Sequence, residues 1–200
     1  VRALGDLLLV RHGETEWALT GQHTGLTDLP LTENGREEAR RVAPLVGSYH
    51  VGAVFVSPLQ RARETAELAG LSRVTVDPDL VEWDYGAYEG VTTREIQRTR
   101  PDWFLFDDGV PEGPPEHPGE TPEEVGARAD RMLSKVDAAL ANNEGSVVLV
   151  SHGHFLRVLT ARRLGLPPSG GAHFLLATGT VSRLTFEHGR PVISGWNLRP

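Results

Sequence analysis

Leu7-Leu8-Leu9-Val10-Arg11-His12-Gly13 is an apolar run that breaks off on an arginine, a histidine and a glycine. Toward the other end of the chain, Ser146-Val147-Val148-Leu149-Val150-Ser151-His152-Gly153 ends in the same way. Uninterrupted apolar runs of this length read as strands buried on both faces, the habit of parallel sheets covered by helices. In open parallel sheets ligands bind outside the carboxyl ends of the strands. Both histidines therefore fall where a site is expected rather than in the core. The glycine after each lets the backbone turn sharply or come close to a ligand.

Outward from these two strands the pattern alternates between strand and helix, which predicts an α/β three-layer sandwich with a central, mostly parallel sheet. Residues 32–46 carry Ala39, Val42, Ala43 and Val46 at helical spacing, with Gly47 as the stop. Ala53–Val56 reads as a second strand, followed by Ser57 as N-cap, Pro58 at the first helical position and a helix running to Ala69. Arg73–Val76 reads as a further strand. Thr121-Pro122-Glu123-Glu124 is a capping box that opens a long helix, and Phe155–Leu164 forms the helix after the second histidine strand. Runs 180–186 and 192–196 flank Glu187-His188-Gly189-Arg190, predicting an antiparallel hairpin at the sheet edge. Residues 87–120 hold five prolines together with Trp103, Phe104 and Phe106, and read as a partly helical lid inserted into a single 1–200 domain.

Composition narrows the function. The 200 residues carry a net charge of −7, which disfavours nucleic acid and anionic membranes as partners, since both call for clustered Lys and Arg. The chain has no cysteine, so a thiol nucleophile, a disulfide framework and a cysteine zinc site are all excluded. No run approaches the ~20 apolar residues of a membrane span, and the expected setting is cytoplasmic.

Two further elements converge on the same sheet edge. Arg61 falls in the first turn of the helix after Ala53–Val56, where a cation is disfavoured unless an anion sits nearby. Glu82, in Leu80-Val81-Glu82-Trp83-Asp84-Tyr85-Gly86, lies among aromatic and apolar residues, a desolvated setting that suits a proton-donating acid. Arginines, histidines and one carboxylate at strand ends are the parts of metal-free phosphoryl chemistry: a nucleophile, cationic clamps and an acid for the leaving oxygen.

Arg11-His12-Gly13-Glu14-Thr15, Ser57-Pro58-Leu59-Gln60-Arg61-Ala62, the 80–90 segment ending Tyr88-Glu89-Gly90, and Ser151-His152-Gly153 together resemble the histidine phosphatase superfamily, of phosphoglycerate-mutase-like fold. Asp28-Leu29-Pro30-Leu31-Thr32 and Gly119-Glu120-Thr121 extend the resemblance over nearly the whole chain. The resemblance implies that His12 becomes phosphorylated and that Arg11, Arg61 and His152 hold the phosphoryl group. Glu82 would protonate the leaving oxygen and then accept a proton from water. Thr24, Gly25 and Gly153 are the further substrate-binding residues expected, and the resemblance implies no cofactor and no metal.

Ala18 and Gln22 stand where the family usually carries Asn and Arg. Trp83 follows Glu82 where mutases of the superfamily have Arg, so a phosphatase acting on a small phosphorylated metabolite is expected ahead of a phosphoglycerate mutase. A non-catalytic phosphate-binding domain is a remoter reading. So is a zinc hydrolase built on His12, His23, His152, His154 and Glu82, for no zincin spacing is present. The hairpin edge offers a second copy a place to pair, so a homo-oligomer is also an expectation.

Overall fold

The structure, a computed structural model, describes residues 5–142 and 145–199. In chain order its elements are β1 (Leu7–Arg11), α1 (Glu16–Thr20), α2 (Glu33–Gly47), β2 (Val51–Val56), α3 (Gln60–Leu68), β3 (Val74–Val76), α4 (Thr93–Ile96), α5 (Leu105–Asp108), α6 (Pro122–Asn142), β4 (Ser146–Ser151), α7 (Gly153–Arg163), β5 (Val181–Glu187) and β6 (Arg190–Leu198). The six strands form one sheet in the order β3-β2-β4-β1-β5-β6. β3, β2, β4 and β1 run parallel, while β5 and β6 are the antiparallel pair expected at the edge.

The two apolar runs are central because both of their faces are buried. Leu7, Leu9, Val147 and Leu149 join one cluster with α6 and α7 residues such as Met132, Val136, Phe155 and Leu159. Leu8, Val10, Val148 and Val150 join a second with Val42, Val46, Ala62 and Ala66 of α2 and α3. Period-two alternation thus sends successive side chains into opposite helical layers. Because β1 and β4 pair in register, with Arg11 opposite Ser151, their histidines emerge side by side.

The capping box at Thr121 and Glu124 is present, each bonding the other's backbone N–H. Ser57, however, is not an N-cap. α3 starts at Gln60, whose N–H is capped from another loop by Asp28 Oδ1 at 2.8 Å, while the Ser57 hydroxyl accepts the Leu59 N–H ahead of the helix at 3.3 Å and faces His152. The 87–120 stretch sends Ile96, Trp103, Leu105 and Phe106 into the core cluster that covers one sheet face.

Candidate active site

The carboxyl ends of β1, β2, β3 and β4 lie level, so the residues that follow them share one edge: the N–H of His12 bonds Ser151 O, that of Ser57 bonds Val150 O, and that of Asp77 bonds Val56 O. A cavity of about 220 Å³ opens there, lined by Arg11, His12, Thr24, Glu82, Gly153 and further residues named below. A larger cleft of about 330 Å³ lies at the opposite, amino-terminal edge of β2, and its lining holds no histidine or carboxylate.

His12 is buried, and its Nδ1 lies 2.7 Å from Gly13 O. A carbonyl only accepts, so Nδ1 carries the proton and Nε2 keeps a lone pair. Burial, followed by the positive charges of Arg61 and Arg11, holds the imidazole well below its ordinary pKa and so neutral. The His12 and His152 rings meet edge to face at 5.1 Å.

Arg11 is held by a hydrogen bond from Nη1 to Leu176 O, while its Nε is buried with no acceptor among the described residues. A buried donor without a partner is costly, and an anion in the cavity would satisfy it. The guanidinium reaches this place because residue 153 is glycine: a Cβ there would stand 3.0 Å from Arg11 Cζ. Gly13 serves a different close approach, since a Cβ on it would strike the backbone of Gly35 at the start of α2.

Arg61 and His152 lie behind the cavity wall rather than on it. Arg61 is fully buried, and its donors go to Thr27 O, Thr24 O, Gly25 O and, at 3.2 Å, His152 Nδ1. Since His152 Nδ1 accepts, Nε2 carries the proton and donates to Ser57 Oγ at 2.7 Å. Burial, then Arg61, keeps His152 well below the usual imidazole pKa. Gly25 is also off the wall: its N–H binds the Glu89 carboxylate, its carbonyl binds Arg61, and a Cβ would collide with Trp83 O.

Glu82 is buried and reaches the cavity, where Tyr85 shares the wall, and its carboxyl is held by backbone N–H groups. Oε1 accepts the N–H groups of Trp83 and Phe155, both at 2.8 Å, and Oε2 accepts that of His154 at 3.0 Å. The N-terminus of α7 thus holds the carboxyl, and Oε2, with one protein donor against two on Oε1, is the oxygen left for substrate. The Trp83 ring turns the other way: it is fully buried, its indole N–H bonds Glu120 O at 2.9 Å, and it packs edge to face on Phe106. Trp103 is likewise a core residue, bonded to Gly109 O.

Of the further cavity residues, Tyr85 and Arg157 escaped the sequence reading, whereas His154 and His23 were among its candidates. His154 and Tyr85 form a hydrogen-bonded pair on the wall, with the His23 ring tilted against Tyr85 at 4.8 Å. Burial pushes the Tyr85 phenol well up and His154 well down, so both are uncharged. Arg157 brings a second cation, and burial, then the repulsion of Arg11, lowers its pKa. The signal for it was the spacing of His154 and Arg157, three residues apart and so on one face of α7. Of residues 87–120 only Thr93 reaches the wall, while the 21–25 loop contributes Gly21, Gln22, His23 and Thr24. Among the described residues no three His, Asp or Glu side chains are grouped as a metal site, and no helix is long and apolar enough to cross a membrane.

The chain is similar to known proteins over most of its length. The chain is 41% identical over 185 residues to an acid phosphatase of Mycobacterium tuberculosis, covering 92% of this chain and 87% of that one. It is 35% identical to a probable phosphoglycerate mutase of Yersinia enterocolitica, covering 96% and 89%. The solved structure of a Mycobacterium tuberculosis open reading frame superposes with a TM-score of 0.90 at 38% identity, over 98% of each chain. The family description "Histidine phosphatase superfamily (branch 1)" matches residues 7–199, and the chain belongs to that superfamily.

Proposed function

We propose that the protein is a phosphatase that hydrolyses monoesters of small phosphorylated metabolites through a phosphohistidine at His12. The observation that carries this reading is the Nδ1–H bond to Gly13 O, which leaves a neutral ring with a free Nε2 lone pair on a residue that lines the same cavity as Arg11, whose Nε–H has no partner among the described residues. Arg11 takes up a phosphoryl oxygen and Nε2 bonds to phosphorus. The ester oxygen departs with a proton from Glu82 Oε2. Water then attacks the phosphohistidine and returns a proton to Glu82, and inorganic phosphate leaves. Arg61 and His152 act from behind, Arg61 by adding positive potential and by tying down the loop that carries Thr24. Gly153 gives Arg11 its room, and Thr93 is the part of the 87–120 lid that meets substrate.

Hydrolysis is favoured over mutase chemistry because residue 83, next to the acid, is an indole committed to the core and offers no cation to a substrate carboxylate. The decisive test is a panel of phosphorylated metabolites assayed over about pH 4 to 8 with wild type and His12→Ala. Release of inorganic phosphate by wild type and not by the variant supports the reading. Fast conversion of 3-phosphoglycerate to 2-phosphoglycerate with a bisphosphoglycerate primer overturns the preference for hydrolysis. A cytoplasmic setting and self-association at the β6 edge belong to the same proposal, and cell fractionation and light scattering test them.

A further inference from the structure

Glu82 sits on irregular backbone between β3 and α4, with no regular element of its own to hold it. The support comes from α6. Arg128, buried on that helix, donates from Nη1 to the carbonyl oxygens of Asp79 at 2.9 Å and Val81 at 2.6 Å, and from Nη2 to that of Glu82 at 3.2 Å. Its Nε and Nη2 also donate to the two carboxylate oxygens of Glu120, at 2.9 and 2.7 Å. These five bonds use every N–H that a guanidinium has. Glu120 then returns to the same stretch. Its Oε2 accepts the N–H of Asp84 at 2.9 Å, and its backbone carbonyl accepts the Trp83 indole at 2.9 Å.

One ion pair therefore grips the chain on both sides of Glu82. It also touches what Glu82 touches: the Arg128 guanidinium lies 4.6 Å over the ring of Phe155, whose N–H bonds Glu82 Oε1. Arg131 and Lys135, farther along α6, pair with Asp79 and Asp77 in more exposed positions, where such pairs contribute little. Stability alone is a weak reason for burying Arg128 against the half-buried Glu120, because apolar residues of similar size are often as stabilising as a buried ion pair. A carboxyl that must meet a leaving oxygen to within a fraction of an ångström is a stronger one.

We propose that the Arg128–Glu120 pair is the positioning device for the proton donor: it touches no substrate, and it fixes where the Glu82 carboxyl stands. This rests on Glu82 being the acid. A positioning role has a signature that a general loss of structure lacks. Protonation matters most when the departing oxygen is strongly basic, as in an alkyl phosphate, and least when it leaves readily as a phenolate, as in p-nitrophenyl phosphate.

The experiment measures kcat/KM for glycerol 2-phosphate and p-nitrophenyl phosphate in wild type, Glu82→Gln, Arg128→Met, Arg128→Lys and Glu120→Gln, with circular dichroism to check folding. Glu82→Gln is the reference and should lose about 10²- to 10⁴-fold on the alkyl ester, with a much smaller loss on the aryl ester. The Arg128 and Glu120 variants should show the same selectivity on a smaller scale, losing about 10- to 100-fold on the alkyl ester through kcat and only a few-fold on the aryl ester. Arg128→Lys should not rescue, since an ammonium lacks the planar fork. Equal losses on both esters, or no loss, in folded Arg128→Met and Glu120→Gln overturn the proposal while the Glu82 reading stands. Absence of selectivity in Glu82→Gln overturns that reading and the proposal with it. If Arg128→Met does not fold, Glu120→Gln decides by the same criterion.

Discussion

The Nδ1 of His12 donates to the carbonyl oxygen of Gly13, the next residue in the chain, so the nucleophile's tautomer is set by the strand-end turn that carries it. Replacing His12 removes the imidazole that lines the cavity with Arg11 and keeps its Nε2 free. His12→Ala should lower kcat for p-nitrophenyl phosphate by about 10³-fold or more. Phosphorus NMR of quenched, substrate-loaded enzyme should show a phosphoramidate in wild type and none in the variant.

Acid should affect activity and stability differently. His12, His23, His152 and His154 all have pKa values lowered chiefly by burial. The folded protein keeps them neutral below about pH 6.5, where the unfolded chain already takes up protons. The unfolded state then binds more protons, so stability is flat above that pH and falls as pH drops below it, by at most about 1.4 kcal/mol per pH unit for each fully buried ring. Urea unfolding at several pH values checks the slope. Turnover, in contrast, should pass through the ordinary imidazole range without losing the nucleophile. A kcat/KM that drops along a single ionisation near 6.5 would contradict a neutral His12.

Arg157 supplies the cavity with a cation that the phosphoryl-transfer chemistry does not need. Its Nε and Nη2 are spent on Gly171 O and Ala172 O, and its guanidinium stacks 4.6 Å over Phe106, so it is fixed in place. Substrates with a second anionic group should gain from it. Arg157→Ala should raise KM for such esters by about 10-fold, the equivalent of one charge-assisted hydrogen bond, and leave KM for uncharged-alcohol esters near its wild-type value. Steady-state kinetics on matched pairs of esters reads the difference.

Trp83 gives a prediction about stability. It is fully buried, packs on Phe106 and bonds Glu120. Trp83→Ala should cost about 3–5 kcal/mol from the lost ring alone. Denaturant titration measures it, and because Glu120 also holds the Glu82 stretch, activity should fall in the variant molecules that remain folded.

The fold was legible because the sheet needs strands buried on both faces, and few sequences other than Leu7–Val10 and Ser146–Val150 satisfy that demand while ending on a histidine. His12 and His152 were legible for the same reason: strand ends are readable, and strand ends converge. Glu82, six residues past the end of β3, was legible through the 80–90 motif around it. Ser57 misled because a serine before a proline has the look of a cap, and only the three-dimensional approach of Asp28 to Gln60 shows where α3 begins. What the sequence could not show is how the Glu82 carboxyl is held: the Trp83 ring turns into the core while its N–H stays on Oε1, and the other two donors come from α7. Arg157 and Tyr85 were missed because neither lies at a strand end. Each enters the cavity through a helix or an irregular turn whose orientation only packing sets.

The parallel pairing of β1 with β4 has a consequence for how this enzyme comes to life. His12 and His152 are adjacent only once segments 140 residues apart have closed on each other, with Leu7 to Arg11 aligned on Val147 to Ser151. Contacts between segments so distant in sequence are among the slowest to form, because the entropy of closing the intervening loop is spent before pairing returns anything. Catalysis should therefore switch on late in refolding and all at once. After dilution from denaturant, helical signal should recover ahead of phosphatase activity, and no proteolytic fragment lacking either β1 or β4 should turn over substrate. An amino-terminal portion ending before Ser146 leaves a ribosome with Arg11, His12, Arg61 and Glu82 all present and no site to put them in.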